Sequence, residues 1–175
     1  MQNPRVLETD RLILRRFTLD DAGFALALVN DPAWLEYIGD RKVRTVEDAR
    51  AYLTKGPLAM YERVGFGMWV VTRNEDGAVI GTCGLIKRES LEDVDIGFAF
   101  LPRFRGKGYA LESAKAVLDY GRRVLGLPRI VAIVSPANHP SIRILEAIGL
   151  HFEGMVKMPG DAEEICLYAT ATVEE

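Results

Sequence analysis

Apolar and polar positions repeat with two periods along this chain, and the changes between them mark its elements. RLILRRF at residues 11–17 alternates as a strand does. Thr18 with Asp21 three positions later has the form of a capping box, predicting a helix that runs to about Asn30 and stops at Asp31-Pro32. Residues 33–38 then form a short helical piece carrying Trp34 and Tyr37. A second box, Thr45 with Asp48, opens a helix that Gly56-Pro57 should interrupt before it resumes to Val64.

At Gly67 the period becomes two. GMWVVTR, a turn at residues 74–77 and AVIGTCGLIK predict a hairpin. In residues 94–100 Val, Ile and two Phe alternate with Asp, Gly and Ala, so one face is bulky and the other is small with one carboxylate, leaving room beside Asp95. A helical stripe follows over residues 106–125, with Arg122 and Arg123 at its C-terminal end and a stop at Gly126-Leu127-Pro128. Residues 129–134 form a β-branched strand and 141–148 a short helix closed by Gly149. Two more strands follow, near 152–156 and 165–173.

Strand, helix and strand from Val94 to Val134 make a parallel βαβ unit, whose crossover is almost always right-handed. The predicted class is α+β (mixed α/β): a twisted, mostly antiparallel sheet of about six or seven strands, with helices on both faces. A length of 175 residues with 49% hydrophobic and 27% charged suits one domain spanning 1–175.

Composition narrows the function. No apolar run approaches the roughly 18 residues of a membrane helix, and the N-terminus lacks the pattern of a signal peptide, so the expectation is a cytoplasmic protein with no membrane partner. Cys83 and Cys166 stand far apart and only two histidines occur, His139 and His151; neither a metal site nor a disulfide framework is suggested. The net charge of -3 argues against nucleic acid, which is bound by clustered Lys and Arg. Any anion site must therefore be local.

One such site is written into Arg103-Phe104-Arg105-Gly106-Lys107-Gly108-Tyr109-Ala110, between a strand and a helix. A helix start offers about four unpaired N–H groups and roughly half a positive charge, which suit a phosphate. Gly106 and Gly108 let the backbone approach the anion, while Arg103, Arg105 and Lys107 add charge. A branched side chain at Gly108 should block the anion yet spare the helix, whose capping would lie upstream. No Walker ending or GxGxxG is present.

Arg105-x-x-Gly108-x-Ala110 resembles the [QR]-x-x-G-x-[GA] pyrophosphate loop of GNAT acetyltransferases. The LETDRLILRRF run, with Asp20-Asp21-Ala22, is similar to the opening of the branch that holds the ribosomal-protein-alanine N-acetyltransferases. Val94-Asp-Ile-Gly-Phe98 resembles that family's fourth strand. Asn138-x-x-Ser141 followed by Leu145-Glu146-x-x-Gly149-Leu150 resembles its second cofactor motif.

The resemblance implies an N-acetyltransferase that moves acetyl from acetyl-CoA directly to a primary amine, either a protein N-terminus or a small molecule, in a monomer or homodimer. It implies that the strand at 94–100 and the one after it splay around the pantetheine arm, beside Phe98 and Phe100. It places the diphosphate on backbone N–H groups from Arg105 to Ala110, with Tyr109 among them. Asn138, Ser141 and Arg143 come near the rest of the cofactor. Many relatives carry Tyr seven residues after the Asn, where this chain has Leu145; Ser141 is then the candidate proton donor and Asp95 the candidate base acting through water. Trp34 and Tyr37 are candidates for the acceptor pocket. The alternative is a non-catalytic acyl-CoA binding or sensing module.

Overall fold

The computed structural model describes residues 5–172. Alternation is realised as an eight-stranded sheet ordered β1-β2-β3-β4-β5-β6-β8-β7, with β1 Arg5–Glu8, β2 Leu12–Arg16, β3 Met68–Arg73, β4 Val79–Ile86, β5 Val94–Phe100, β6 Ile130–Val134, β7 His151–Val156 and β8 Ile165–Ala169. The strand beyond the expected count is β1, four residues that pair antiparallel with β2. β8 inserts between β6 and β7 and is antiparallel to both. The predicted end of that last strand, Val173, lies outside the described residues.

All neighbouring pairs are antiparallel except β5 with β6, which run parallel and match only at Val94 with Ile130 and Asp95 with Val131. Beyond Asp95 the two strands part. A parallel strand needs a crossover, here the helix α5, Tyr109–Arg123. Its stripe of Ala114, Val117, Leu118 and Gly121 is buried. The absence of a side chain at Gly121 is what lets it lie on Leu85 and Ile130, since a Cβ there would come within 2.8 Å of Ile130. Trp69 meets Tyr120 of α5 edge-on at 5.4 Å.

Because side chains alternate across a strand, the opposite face carries Met68, Thr82, Ile86, Gly97 and Asp95. Over it lie α1 (Ala22–Val29), α2 (Pro32–Tyr37), α3 (Val46–Leu53) and α4 (Ala59–Val64). Both predicted capping boxes form, Thr18 with Asp21 and Thr45 with Asp48. Arg15 grips the buried Asp21 with both terminal nitrogens at 2.9 Å, fixing the first turn to β2. The Tyr61 hydroxyl accepts from Phe17 N at 3.0 Å and donates to the Met68 carbonyl, tying α4 to the sheet.

Three local expectations are corrected. Gly56-Pro57 does not break the helix: Thr54–Leu58 forms one wide π-type turn that accommodates proline's missing N–H, and the axis runs on into α4. The crossover helix starts at Tyr109 rather than Gly106, because Gly106 and Gly108 both hold left-handed φ, +75° and +83°. The helix after β6, α6, starts earlier than expected, at His139–Ala147, with Asn138 as its N-cap and Pro140 in its first turn.

Gly84 faces the backbone of the strand beside it. A Cβ there would overlap the Gly67 carbonyl oxygen and lie 2.6 Å from Met68 Cα, whereas at Gly97 it would find only ordinary contact with Met68 Sδ at 3.5 Å. Gly84→Ala is expected to lower unfolding free energy in urea by about 1–3 kcal/mol and Gly97→Ala by much less. Equal effects would mean that β3 and β4 are not packed in this register.

Candidate active site

Where β5 and β6 separate, a cavity of about 630 Å³ runs from the gap to the start of α5. It is walled by Phe98, Ala99 and Phe100 of β5, by the turn at Arg105, Gly106 and Gly108 with Tyr109 and Ala110, by Asn138, Ser141 and Arg143 of α6, and by Trp34 and Tyr37 of α2. Twelve of the residues expected at the cofactor or acceptor site thus converge on one space, from segments that lie far apart in sequence. The β5 edge beyond Asp95 has no strand partner among the described residues, so backbone polar groups there, other than the Phe100 carbonyl, are open to a ligand.

The turn is held open by a framework of ion pairs. Arg105 donates through Nε to the Phe100 carbonyl at 3.0 Å and through Nη2 to the buried Asp31, so its charge is largely committed to bracing the turn against α2. Arg11, beside β2, donates to the Lys107 carbonyl at 3.0 Å and to Glu112 Oε1 at 2.7 Å, and stacks on the Tyr109 ring at 4.5 Å. Burial pushes the Glu112 carboxyl up, but bonds from Thr9 and Arg11 hold it below its ordinary range. The α5 N–H groups keep their positive end toward the cavity while Glu112, the acid of the helix's first turn, is paired with Arg11.

Two expected cofactor residues are not on the wall. Arg103 spreads its guanidinium over the Phe104 ring at 4.8 Å, and Lys107 extends from the exposed apex of the turn. Gly108 is itself the N-cap of α5 at φ +83°, not a residue downstream of the cap, so a branched side chain there strains the backbone and would damage the helix start. Asn138 accepts from Ser141 N at 3.4 Å as an N-cap while its amide also lines the cavity. Ser141 is half-buried, with no recorded partner for its hydroxyl among the described residues. Leu145 is 2% exposed and packs in the core; it does not reach the cavity.

Asp95 lies apart from both groups. Its side chain is 2% exposed and accepts from Arg88 Nε at 2.9 Å. It lines neither this cavity nor the next, because Arg88 occupies the expected room beside it. Burial raises its pKa and Arg88 opposes the rise.

A second cavity, of about 340 Å³, lies between the Asp95 face of the sheet and α1, α3 and α4. It shares Leu28 and Trp34 with the first, so the two spaces adjoin there. The Trp34 indole N–H is buried without a partner among the described residues. Sequence patterns did not reveal this second space, nor the bracing roles of Arg11 and Asp31, because each arises between segments distant in sequence.

A sequence profile of the acetyltransferase (GNAT) domain matches residues 11–151. The chain belongs to the GNAT acetyltransferase family. The uncharacterised N-acetyltransferase YnaD of Bacillus subtilis is 34% identical over 86% of this chain and 85% of its own. Among solved structures, a GNAT-family acetyltransferase from Bacillus anthracis is 29% identical with a TM-score of 0.75, covering 93% of this chain and 95% of its own. The RimL ribosomal L7/L12 α-N-protein acetyltransferase, solved with coenzyme A, has a TM-score of 0.81 over 97% of this chain and 98% of its own; at 18% identity it shows the shared fold. The GNAT chain is accordingly an acyltransferase, of a family that uses acetyl-CoA.

The donor set fits that cosubstrate: glycine-opened backbone N–H groups at a helix start, an Arg143 without an ion-pair partner among the described residues, and a strand edge that can bond an amide-bearing arm. Leu111, third in α5, is exposed and lines the cavity. Leu111→Glu places an acid where it favours the helix but repels a diphosphate. The variant is expected to melt no lower than wild type and to bind acetyl-CoA about tenfold or more weakly by calorimetry. Undiminished binding would move the diphosphate away from α5.

Proposed function

We propose that this GNAT protein transfers the acetyl group of acetyl-CoA directly to a primary amine, a protein N-terminal α-amine or the amine of a small molecule, with no acyl-enzyme. The observation that carries this reading is the cavity at the β5/β6 split, where the α5 start and the Ser141 hydroxyl share one space that adjoins a second cavity at Trp34. The RimL neighbour, described as a complex with coenzyme A and as acting on a protein α-amine, supports both halves of the reaction.

The turn at Gly106 and Gly108, with Arg143, binds the diphosphate, and Asn138 orients the arm. Backbone N–H groups on the free edge of β5 face the carbonyl oxygen as charge grows on it. The net step forms a C–N bond, breaks the C–S bond and moves one proton from nitrogen to sulfur. Ser141 supplies that proton to the departing sulfur and regains one from the nitrogen through solvent, taking the place that Leu145 leaves vacant.

Attack requires the neutral amine. At neutral pH deprotonation costs about 1.4 kcal/mol for an α-amine and about 4.6 kcal/mol for a lysine. Arg41 on the second cavity, together with Arg88, whose charge Asp95 partly offsets, disfavours an ammonium there and lowers that cost. Asp95 meets the acceptor side only through Arg88 and serves as a positioning residue, in place of the base expected from sequence.

Ser141→Ala is expected to lower kcat about 100-fold with acetyl-CoA affinity unchanged; wild-type kcat would remove its donor role. Asp95→Asn is expected to raise the acceptor KM while the kcat–pH profile keeps its shape. Loss of the acidic limb of that profile would instead make Asp95 the base.

A further inference from the structure

The second cavity has a lining that discriminates among amines. Phe17, Leu28, Val29, Met60 and Met68 make its body apolar. Its charged side chains, among the described residues, are Arg41 and Arg88; no carboxylate lines it. Arg88, which lines the cavity, reaches Asp95 through Nε, and its terminal nitrogens have no partner among the described residues. Arg41 is exposed and pairs with no carboxylate among the described residues, since its neighbour Asp40 is taken by Arg44 at 2.6 Å; its guanidinium lies against the Tyr52 phenol. Tyr52 stands near enough to both guanidiniums for each to act on its phenol, which burial drives up in pKa. Two guanidiniums and a phenol therefore gather on one wall of an otherwise apolar space.

A polyamine brings several positive charges and needs carboxylates; this wall would repel it. A carboxylate or phosphate, in contrast, is what paired guanidinium forks and a phenol bind best. Resting on the acceptor reading of the preceding subsection, we propose that the second cavity selects a small primary amine with an apolar body and an acid group, the acid held by Arg41, Arg88 and Tyr52 and the amine turned toward Trp34. With Arg88 already paired to Asp95, the acid group offsets the remaining charge of Arg41 while the amine stays neutral, so one contact serves both specificity and reactivity. At about 340 Å³ the cavity is at the low end of the range for ligand sites, which suits a small molecule.

The test follows free thiol release from acetyl-CoA with matched acceptors: phenylalanine against 2-phenylethylamine, 6-aminohexanoate against hexylamine, then spermidine and a short peptide with an acidic second residue. In at least one pair the acid-bearing member is expected to exceed its neutral partner, spermidine and the peptide by about tenfold or more in kcat/KM. Arg41→Gln is expected to narrow that ratio about tenfold through KM, with acetyl-CoA-induced stabilisation retained. Equal or better turnover of neutral amines or spermidine overturns the assignment. So does no turnover of any acid-bearing small amine, or an Arg41→Gln effect equal on both members of a pair. A preference for the peptide transfers the same chemistry to protein N-termini and overturns the small-molecule assignment. Each of these outcomes leaves the cofactor reading intact if acetyl-CoA still raises the melting temperature; absence of that rise would defeat the cofactor reading itself.

Discussion

The short pairing between β5 and β6 is the constraint on which the site depends. Two matched positions, Val94 with Ile130 and Asp95 with Val131, join them before they part. A fully zipped parallel pair would leave no space between β5 and α6 and would use up the backbone groups that the gap leaves open. The split persists because its ends are held elsewhere. β4 pairs with β5 along its length, β8 pairs with β6, and α5 bridges the two strands over a buried stripe with Gly121 at its closest approach.

The start of α5 is fixed to this gap by contacts that are themselves long-range. Arg105 ties the turn to Asp31 and to the Phe100 carbonyl, and Arg11 ties it to the first hairpin through Lys107 and Glu112. These pairs set the direction of the helix N-terminus, so several guanidiniums at the site serve geometry more than net charge. The same division holds on the other face, where Asp95 fixes Arg88 at the rim of the second cavity.

Local patterns in the sequence carried much of this. Alternation identified β3, β4 and β5, both capping boxes formed as expected, and Gly106 and Gly108 marked the turn, because each of these features is decided within a few residues. Family resemblance supplied the split and the α6 contacts. What escaped were consequences of distance. Glu112 and Arg11 are 101 residues apart, Arg105 and Asp31 are 74 apart, and no periodicity reports such pairs. Asp95 looked accessible because its neighbours on the strand are Gly and Ala; the β4–β5 register instead places Arg88 just beyond Ile86, opposite it. At Pro57 the expected break is a wide turn instead, because proline forbids an ordinary helical bond but not a turn of longer reach.

We propose that one continuous space, from the start of α5 into the β5/β6 gap, grips acetyl-CoA. The most direct measurement is backbone amide NMR during titration with acetyl-CoA. The account predicts the largest shifts at Phe98 to Phe100, at Gly106 to Leu111 and at Ser141, with small changes along β1 and β7. Shifts centred away from the split, or a spectrum that does not move at saturating cosubstrate, would contradict it.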